Sequence, residues 1–432
     1  MIVRALKSFL GIDPLPEPAQ QLLLKTVGSF ILYDTVWSLS TAFYVLFVID
    51  TVGIEQLGIL LAISFLIQAI FDYPSGVIGD WIGQRWILLV GFFLEALAFG
   101  ILTIADSFPS LLLVYVIRAI AFSQQSGAIE TWLDNNYKLA TNEADPQRKI
   151  YKFFMGRRMM FGTMVYGIAT VLGGIYAMIS SRRDVFLIQV IGWILTALLF
   201  FYIIKDFPGI ERPKKSLRNY FSLLREGIQF VLTSRILLLF IIGLCIGEGL
   251  AALWYELILF PVYFGYTGSD GGVGILRFVI LIIGTLLTYY AAKIATRVKI
   301  IRIPWLRLVD TVFFFWGIAL LTLFFPIKYN TYTPLAIIVL IINYSAIWFF
   351  YQIGNIIAQQ FFLDYVPDRN RNSIYSLIPT LLLLITAPGA VIGASLIKNF
   401  GYSVTAFILG GMGLVAVAFY YFSVRLIPEK NL

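Results

Sequence analysis

The sequence predicts an all-α membrane protein with twelve transmembrane helices, arranged as two pseudo-symmetric six-helix bundles with both termini in the cytoplasm. Apolar residues make up 59% of its 432 residues and charged residues 13%, whereas soluble domains have roughly 45–50% and about 25%. Mean hydropathy is +0.86, more apolar character than a soluble core of this size can bury. The apolar residues also fall into runs that reach the roughly 20 residues needed to cross a bilayer.

The apolar runs divide into two sets of six. The first set is predicted at 26–49, 57–79, 86–105, 110–131, 154–179 and 185–204, and the second at 236–260, 273–294, 305–327, 334–361, 374–397 and 403–426. The longest polar stretch separates the two sets, and its second part has the periodicity of an amphipathic helix. We therefore predict an N-terminal bundle over 1–204, a cytoplasmic linker with an amphipathic helix over 205–234, and a C-terminal bundle over 235–432.

The basic residues predict the orientation. All but six of the 32 Lys and Arg lie on the side of the predicted bundle that carries the N-terminus; the exceptions are Arg182, Arg183, Lys328 and Lys398 on the other side and Arg118 and Arg277 within spans. Cytoplasmic loops carry such an excess, so we predict a multi-pass protein of the cell membrane with both termini inside. The net charge of +8 then belongs to loops at the lipid surface, and no nucleic-acid partner is predicted. The opening residues are interpreted as an interfacial segment, not a cleaved signal peptide.

Several classes of chemistry are excluded by missing residue types. The chain has one cysteine, Cys245, and no histidine. An intramolecular disulfide is therefore impossible, and neither a metal site nor a cofactor is predicted. The sequence has no Walker-type phosphate loop, which disfavours ATP-driven pumping. We predict no enzymatic activity, although a membrane enzyme that uses only carboxylates is a minor alternative.

A glycine-rich segment with two charges connects the second and third spans. Gly76–Arg85 reads G-V-I-G-D-W-I-G-Q-R. Glycines such as Gly76 and Gly83 allow close helix approach and a tight turn. Asp80 and Arg85 then lie in a short interfacial loop, where a charge pair or a helix N-terminus could hold two parts of the molecule together.

This segment resembles the G-x-L-A-D-R-x-G-R-R signature of the major facilitator superfamily. It matches at Gly76, Asp80, Gly83 and Arg85, and it departs at positions 79, 81 and 84. Two flanking segments, 72–75 and 126–133, resemble stretches found in the drug and small-molecule efflux branch of that superfamily. The resemblance implies a twelve-span transporter whose loop latches against span eleven in the outward-facing state. The corresponding segment of the second half, 292–299, has no acidic residue and no glycine, so the latch is predicted to be asymmetric.

Ionisable residues inside the first bundle are candidate functional residues, because a charge within the bilayer is costly unless paired or hydrated. Asp34 and Trp37 share a face of span one, and Arg118 and Gln125 share a face of span four. The resemblance links an arginine at this place in span four to proton coupling. We predict that Asp34 exchanges a proton with cargo in a cavity it shares with Arg118. A static ion pair is the alternative, and Glu95 could replace Asp34.

The second bundle carries further charges. Glu248 lies deep in span seven and is a candidate for cargo or proton contact. Glu256, nearer the outer end, is predicted to pair with Arg277 of span eight as a structural or gating pair at the mouth. Arg307 and Asp310 at the start of span nine are interpreted as interfacial.

Aromatic residues form a stripe on span ten. Tyr344, Trp348, Tyr351 and Asn355 follow at steps of four, three and four, so they share one face. An amide on this face would be unsatisfied against lipid, so we predict that the stripe faces a cavity. Tyr255 of span seven shares a helix face with Glu248, seven residues before it. Aromatic walls with isolated carboxylates suit a cationic or amphipathic organic molecule, among other cargoes.

These observations predict a secondary active transporter that moves a small organic molecule by alternating access, with proton-coupled export as the first hypothesis. The glycines of span five, 162, 167, 173 and 174, loosely resemble the superfamily's antiporter motif without its proline, and close helix packing explains them equally well. Uptake by symport, or transport of an anion or lipid that contacts Arg118 and Arg277, is the alternative within transport. A non-transporting membrane receptor is the alternative outside it. The predicted partners are a small-molecule substrate, protons and the lipid bilayer, and the predicted oligomeric state is a monomer.

Overall fold

The computed structural model describes residues 2–205, 217–327, 333–366 and 368–427. Within these ranges the side chains at 2–3, 73, 76–77, 80–81, 217–224, 363–364 and 368–376 lie outside the description. The described chain is helical with short connections and no strand. Large apolar side chains such as Ile70, Leu172 and Leu286 are exposed on its outer surface, as expected of helices that face lipid.

The N-terminal half contains nine helices among the described residues. They are α1 Ile2–Leu10, α2 Glu17–Ser38, α3 Tyr44–Val52, α4 Ile54–Ile82, α5 Gln84–Leu102, α6 Phe108–Gln125, α7 Ala128–Thr141, α8 Lys149–Ile179 and α9 Arg182–Ile203. Helix α5 packs between α6 and α9, and α2 packs against α8 and α9. Serine side chains begin two of these helices, since Ser107 takes part in a capping box at α6 and Ser181 accepts from the third residue of α9.

The C-terminal half contains α10 Leu217–Thr233, α11 Arg235–Leu253, α12 Phe260–Thr267, α13 Asp270–Ala295, α14 Ile303–Thr311, α15 Ile318–Phe324, α16 Pro334–Tyr365 and α17 Asp368–Arg425. A π-helical turn at Trp254–Leu259 joins α11 to α12, and another at Val312–Gly317 joins α14 to α15. The helix predicted within the linker is present as α10, which packs against α11 and α17. Its position on a membrane surface stays a prediction.

Ten helical segments of the described chain are long and apolar enough to cross a membrane, compared with twelve predicted spans. The difference has two physical sources. The predicted first span is interrupted by a turn at 39–43, which divides it into α2 and the nine-residue α3. The predicted last two spans both lie in α17, where Gly401 has φ +76° and breaks the helix; an L-amino acid with a side chain rarely adopts this conformation.

The turn in the first predicted span is held by α8. The Thr170 hydroxyl donates to the Ser38 carbonyl at 3.3 Å, which satisfies one of the groups that the end of α2 leaves free. At Gly173, a Cβ atom would lie 1.7 Å from the Leu39 carbonyl oxygen, so no larger residue fits. This contact supports the close-packing interpretation of the span-five glycines.

The two halves meet along the helix pairs α4–α17, α8–α13 and α3–α12. Small residues bring these helices close together. A Cβ at Gly58 would lie 2.5 Å from the Ala394 Cβ, and one at Gly174 would lie 2.5 Å from the Asp270 carbonyl oxygen. Such small-residue contacts are how membrane helices pack in the absence of a hydrophobic driving force between them.

The sequence also contains a faint internal repeat, in which Asp134 and Arg148 of the first half correspond to Asp364 and Arg371 of the second, and the loop between α7 and α8 contains its first copy. In the first half, Arg148 forms an ion pair with Asp134 across the loop. The side chains of Asp364 and Arg371 lie outside the described residues, so the second copy stays a prediction.

Asp145 fixes the start of α8 from within the same loop. Its carboxylate accepts from the Tyr137 hydroxyl at 2.8 Å and from the backbone N–H groups of Lys149 and Tyr151 at 2.9 and 3.0 Å. Partial burial opposes ionisation, but these hydrogen bonds outweigh it and lower the pKa of the Asp145 carboxyl. A carboxyl with a lowered pKa is ionised at every pH above its ordinary pKa. We therefore expect this loop to stay fixed from about pH 5 to 9.

Candidate functional site

An ion pair lies inside the N-terminal half, with its acid buried and 22% of its arginine side chain exposed. The Arg118 Nε of α6 is 3.1 Å from a carboxylate oxygen of Glu95 on α5, and Glu95 has no exposed surface. The guanidinium also lies over the Tyr44 ring, 4.7 Å from its centroid, and over the Phe99 ring at 5.1 Å. The second carboxylate oxygen, Glu95 Oε1, is buried without a hydrogen-bond partner among the described residues. The pair is therefore held by one hydrogen bond and by aromatic faces, and it leaves a free acceptor.

Asp34 forms no ion pair with Arg118 among the described residues, so the alternative of a static pair is wrong, and the exchange of a proton between Asp34 and cargo stays a prediction. The cation that acts on Asp34 is Arg158 of α8, whose guanidinium lies 3.2 Å from the Phe30 ring centroid. Asp34 Oδ2 also packs against Gly162, where a Cβ would lie 2.8 Å from it. The side chain of Asp34 therefore points toward α8, while the shared-cavity prediction required it to point toward α6.

Of the other two predicted residues of the first half, Trp37 lies beside the Arg118 pair and Gln125 lies further along α6. Trp37 stacks on Tyr33 at a centroid distance of 6.1 Å, and the Arg118 guanidinium lies 5.7 Å from its ring. Gln125 is buried, with its Oε1 unpartnered among the described residues. Both side chains are thus placed in the core of the half that contains the ion pair.

A second charge cluster lies inside the C-terminal half, and the interpretation of Arg307 and Asp310 as interfacial is wrong. Arg307 is 7% and Asp310 4% exposed, and their side chains lie 3.3 Å apart. The same guanidinium is 3.7 Å from Glu248 of α11 and donates to Asn355 of α16 at 2.5 Å. Sequence proximity to the helix start indicated an interfacial place, but partners supplied by two other helices make burial possible.

This cluster borders a cavity of about 40 Å³ lined by Glu248, Arg307, Asp310, Tyr351 and Tyr420 with apolar neighbours. A cavity of this size holds a few water molecules. Asp310 Oδ1 has no hydrogen-bond partner among the described residues. One guanidinium with two carboxylates leaves the cluster one negative charge in excess when both acids are ionised.

The span-ten stripe faces the interior of the C-terminal half, and its four members bind three other helices. Tyr344 accepts from Arg277 of α13 at 2.8 Å, and Trp348 donates to a threonine of α13 at 2.8 Å. Tyr351 donates to Glu248, and Asn355 accepts from the buried guanidinium of α14. Tyr351 borders the cavity described above. The stripe therefore links α11, α13 and α14.

The predicted pairing of Glu256 with Arg277 is wrong. Arg277 is 5% exposed and has tyrosines as its electrostatic neighbours, whereas the cation that acts on Glu256 is Arg118 of the opposite half. The physical reason is the π-helical turn at Trp254–Leu259, since an extra residue per turn rotates every later side chain away from the α-helical position. Tyr255, in the same turn, makes a 3.1 Å hydroxyl–hydroxyl hydrogen bond with Tyr166 of α8.

A group of charges at one end of the molecule was missed by sequence reasoning. Arg182, at the start of α9, binds Asp270 of α13 through two hydrogen bonds of 2.7 and 2.8 Å and Asp50 of α3 at 2.6 Å. Beside it, Lys398 of α17 pairs with Glu55 of α4. We call these five residues the clasp, because Arg182–Asp270 and Lys398–Glu55 both join the N-terminal to the C-terminal half. All five lie within three residues of the end of a predicted span, on the same side of the bundle, a signal that places them at one end without pairing them.

The glycine-rich motif has a different backbone from the predicted loop. Helix α4 continues through Ile82, and the connection to α5 is the single residue Gly83, with φ +96°. Arg85 donates to the Phe201 carbonyl at 2.7 Å, near the end of α9, and its guanidinium lies 3.5 Å from the ring centroid of the same residue. Arg85 is therefore bound within its own half. The structure describes only the backbone of Asp80 and of residue 76. The latch therefore stays a prediction.

Comparison with known proteins identifies the family. The profile of the Major Facilitator Superfamily matches residues 26–387, most of the chain. The chain belongs to the Major Facilitator Superfamily. An uncharacterized MFS-type transporter of Bacillus subtilis (strain 168), YxaM, is 22% identical over 193 residues, which are 44% of this chain and 45% of that relative.

Solved structures of the superfamily share the fold. The nucleoside transporter NupG aligns with a TM-score of 0.72 at 13% identity, over 95% of this chain and 100% of that one. A D-xylose-proton symporter aligns with a TM-score of 0.67 at 14% identity, over 96% and 98%. At these identities the likeness concerns the fold, and with the family match it establishes a multi-pass membrane protein of a transporter superfamily.

Proposed function

We propose that this superfamily member moves a small organic molecule across the cell membrane by alternating access, coupled to protons and in the export direction. The observation that carries the proposal is the clasp. Arg182–Asp270 and Lys398–Glu55 join the two halves at one end, and each half contains a charge cluster in its interior. Charged pairs that must break for one end to open are suited to a two-state transport cycle.

The proposal includes twelve spans in two bundles, 1–204 and 235–432, joined by the linker 205–234. Its support is that α2 with α3 covers the first predicted span and that α17 contains the last two, separated at Gly401. Cytoplasmic termini follow from the distribution of basic residues. The clasp would then close the outer end, and the protein would function as a monomer.

Proton coupling is proposed on the carboxylates of the buried charge clusters, because the chain has no histidine. Glu95 is fully buried, bound to Arg118, and has one unpartnered oxygen. A carboxylate in this situation can gain a proton when its guanidinium partner is drawn to another group. We therefore move the coupling role from Asp34 to Glu95, with Glu248 and Asp310 as the corresponding pair of acids in the second half.

The test is transport by the purified protein in liposomes with a pH-sensitive dye inside. Compounds of one size in cationic, neutral and anionic forms are supplied outside, and cargo and proton movements are measured together. For coupled export we expect each cargo molecule to move opposite to protons. Cargo movement with no proton movement would contradict the coupling, and movement in the same direction would contradict export and favour symport.

Asp80→Asn is expected to reduce transport at least severalfold while expression and the thermal unfolding midpoint stay close to wild type. The motivation is the position of Asp80 one turn before the Gly83 break, where a charge biases a conformational equilibrium more than it supports a core. Asp106→Asn, an exposed carboxylate at the clasp end, is the matched control. Wild-type transport by Asp80→Asn would remove the latch assignment.

A further inference from the structure

Within the described part of the chain, Arg277 is a buried guanidinium without a carboxylate partner. It lies two turns into α13 and is 5% exposed, and its electrostatic neighbours in the described chain are tyrosines. Three other guanidinium groups between the helices each have an acid within 3.3 Å: Arg118 has Glu95 at 3.1 Å, Arg182 has Asp270 at 2.7 Å, and Arg307 has Asp310 at 3.3 Å. Arg277 therefore differs from these three arginines.

The groups around Arg277 are hydrogen-bond donors that lack acceptors. One guanidinium nitrogen donates to the Tyr344 hydroxyl at 2.8 Å, but Arg277 Nε has no partner among the described residues. The Tyr263 hydroxyl interacts with the guanidinium, and the indole ring of Trp254 packs on the Tyr344 ring with centroids 5.5 Å apart. Both groups are buried, and neither the Tyr263 O–H nor the Trp254 indole N–H donates to an acceptor in the described chain.

An uncompensated charge and three unmatched donors are costly in a membrane-embedded protein. The Tyr255 and Tyr344 rings, with centroids 5.6 and 5.7 Å from the guanidinium carbon, give it cation–π stabilisation. They supply no negative charge and no acceptor for the free N–H groups. An oxyanion supplies both, and the planar guanidinium matches the two oxygens of a carboxylate or phosphate.

We propose that Arg277, with the Tyr263 hydroxyl, the Tyr344 hydroxyl and the Trp254 indole, binds the oxyanion group of a small organic cargo. Trp348, which stacks on Tyr344 at 6.2 Å, provides an aromatic wall for the body of that cargo. The cargo class is thus an organic acid with an aromatic or apolar part. The proposal rests on the proposed transport function and names its substrate class.

Access to this site is controlled by the contact between the two halves. Tyr255, whose ring lies next to Arg277, is hydrogen-bonded to Tyr166 of the N-terminal half. Separation of α8 from α13 breaks that bond and uncovers the guanidinium. Binding of the oxyanion is therefore linked to the position of the two halves, which is what a transport site requires.

Thermal unfolding of the purified full-length protein in detergent tests the proposal, with benzoate as the probe. Benzamide and benzylamine serve as neutral and cationic controls of the same size, and inorganic phosphate tests a free oxyanion. We expect benzoate to raise the unfolding midpoint of the wild type and the two controls not to do so. Arg277→Gln should weaken benzoate binding at least tenfold, and Arg277→Lys should keep part of it.

The ligand-free variants give a second, independent readout. If Arg277 is an anion-binding residue, its charge is unpaired in the ligand-free protein. Arg277→Gln removes that charge and should raise the unfolding midpoint of the ligand-free protein. Arg307→Gln is the matched control. It leaves Glu248 and Asp310 without their cation and should lower the unfolding midpoint. A lower midpoint for Arg277→Gln would indicate a structural arginine and overturn the proposal.

Other outcomes are equally decisive. No effect of benzoate on the wild type, or an equal effect in Arg277→Gln, would overturn the proposal, and stabilisation by phosphate alone would overturn its organic part. These binding measurements are separate from the liposome assay. Binding through Arg277 in a protein that moves no cargo would refute the transport function and leave the site in place. Transport of neutral or cationic compounds only would support the transport function and overturn the oxyanion site.

Discussion

Arg182→Ala should open the end of the molecule that the clasp holds closed. The Arg182 side chain is 19% and Asp270 9% exposed, so their two-hydrogen-bond contact is little screened by solvent. Hydrogen bonds to charged groups contribute about 1.5–3 kcal/mol. Because this contact joins the two halves, its loss acts on the equilibrium between closed and open states more than on the core of either half. A change of about 1–3 kcal/mol shifts the ratio of the two states roughly 5- to 150-fold.

The shift can be measured as a distance across the clasp end. Spin labels on cysteines introduced at Asp106 in the N-terminal half and Phe400 in the C-terminal half occupy exposed positions. The native Cys245 is 1% exposed, so the labels can be read in the natural background. We expect a longer-distance population in Arg182→Ala. Arg183→Ala is the matched control, because Arg183 donates to the Ala105 carbonyl within the same half.

Asp270→Asn separates the contribution of the charge from that of the side chain's shape. It should produce the same direction of change as Arg182→Ala, because Arg182 loses its bidentate partner and keeps only Asp50. An unchanged distance distribution in both variants, with Arg183→Ala also unchanged, would show that the glycine contacts of α4–α17 and α8–α13 close this end without the clasp.

The fold was predictable because it depends on composition and periodicity. Long apolar runs, the central polar linker and the positions of basic residues are all local properties of a sequence. The break at 39–43 depends on a contact that no local pattern contains, since it is held by Thr170 of α8, roughly 130 residues along the chain. The breaks at Gly83 and Gly401 occur at glycines with positive φ. Tertiary contacts and glycine conformation thus both decide where helices break.

Candidate residues could be found in the sequence, but their partners could not. A charge within an apolar run marks Glu95, Arg118 and Arg277 as unusual wherever they point. The pairing of Arg118 with Glu95 depends on how α5 and α6 are rotated, and the failed pairing of Arg277 depends on a π-helical turn in α11–α12. Helix rotation is set by packing, and one extra residue in a turn changes it by roughly a quarter of a revolution.

The second large effect is expected at the Glu95–Arg118 pair. Removing one member of a buried ion pair leaves an uncompensated charge and costs about 3–5 kcal/mol. Glu95→Ala and Arg118→Ala should therefore each lower the unfolding midpoint strongly, and the double variant should be less destabilised than the two singles combined. Thermal unfolding of all three, with the wild type, gives the coupling energy of the pair. Additive single effects would mean that Arg118 is stabilised by the Tyr44 and Phe99 rings more than by Glu95.

Glu95→Gln tests the same pair for its part in transport. The amide keeps an acceptor for the Arg118 N–H and removes the ionisable proton, so this variant should fold while its cargo affinity no longer depends on pH. Wild-type affinity should change from about pH 5 to 9, the range that brackets a carboxyl whose environment changes during the cycle. Asp34→Asn is the matched comparison, because Asp34 is also an acid inside the N-terminal half but faces Arg158. A flat profile in Asp34→Asn with a normal one in Glu95→Gln would return the coupling role to Asp34. Normal profiles in both variants would transfer it to the Glu248, Arg307 and Asp310 cluster, where two acids share one guanidinium.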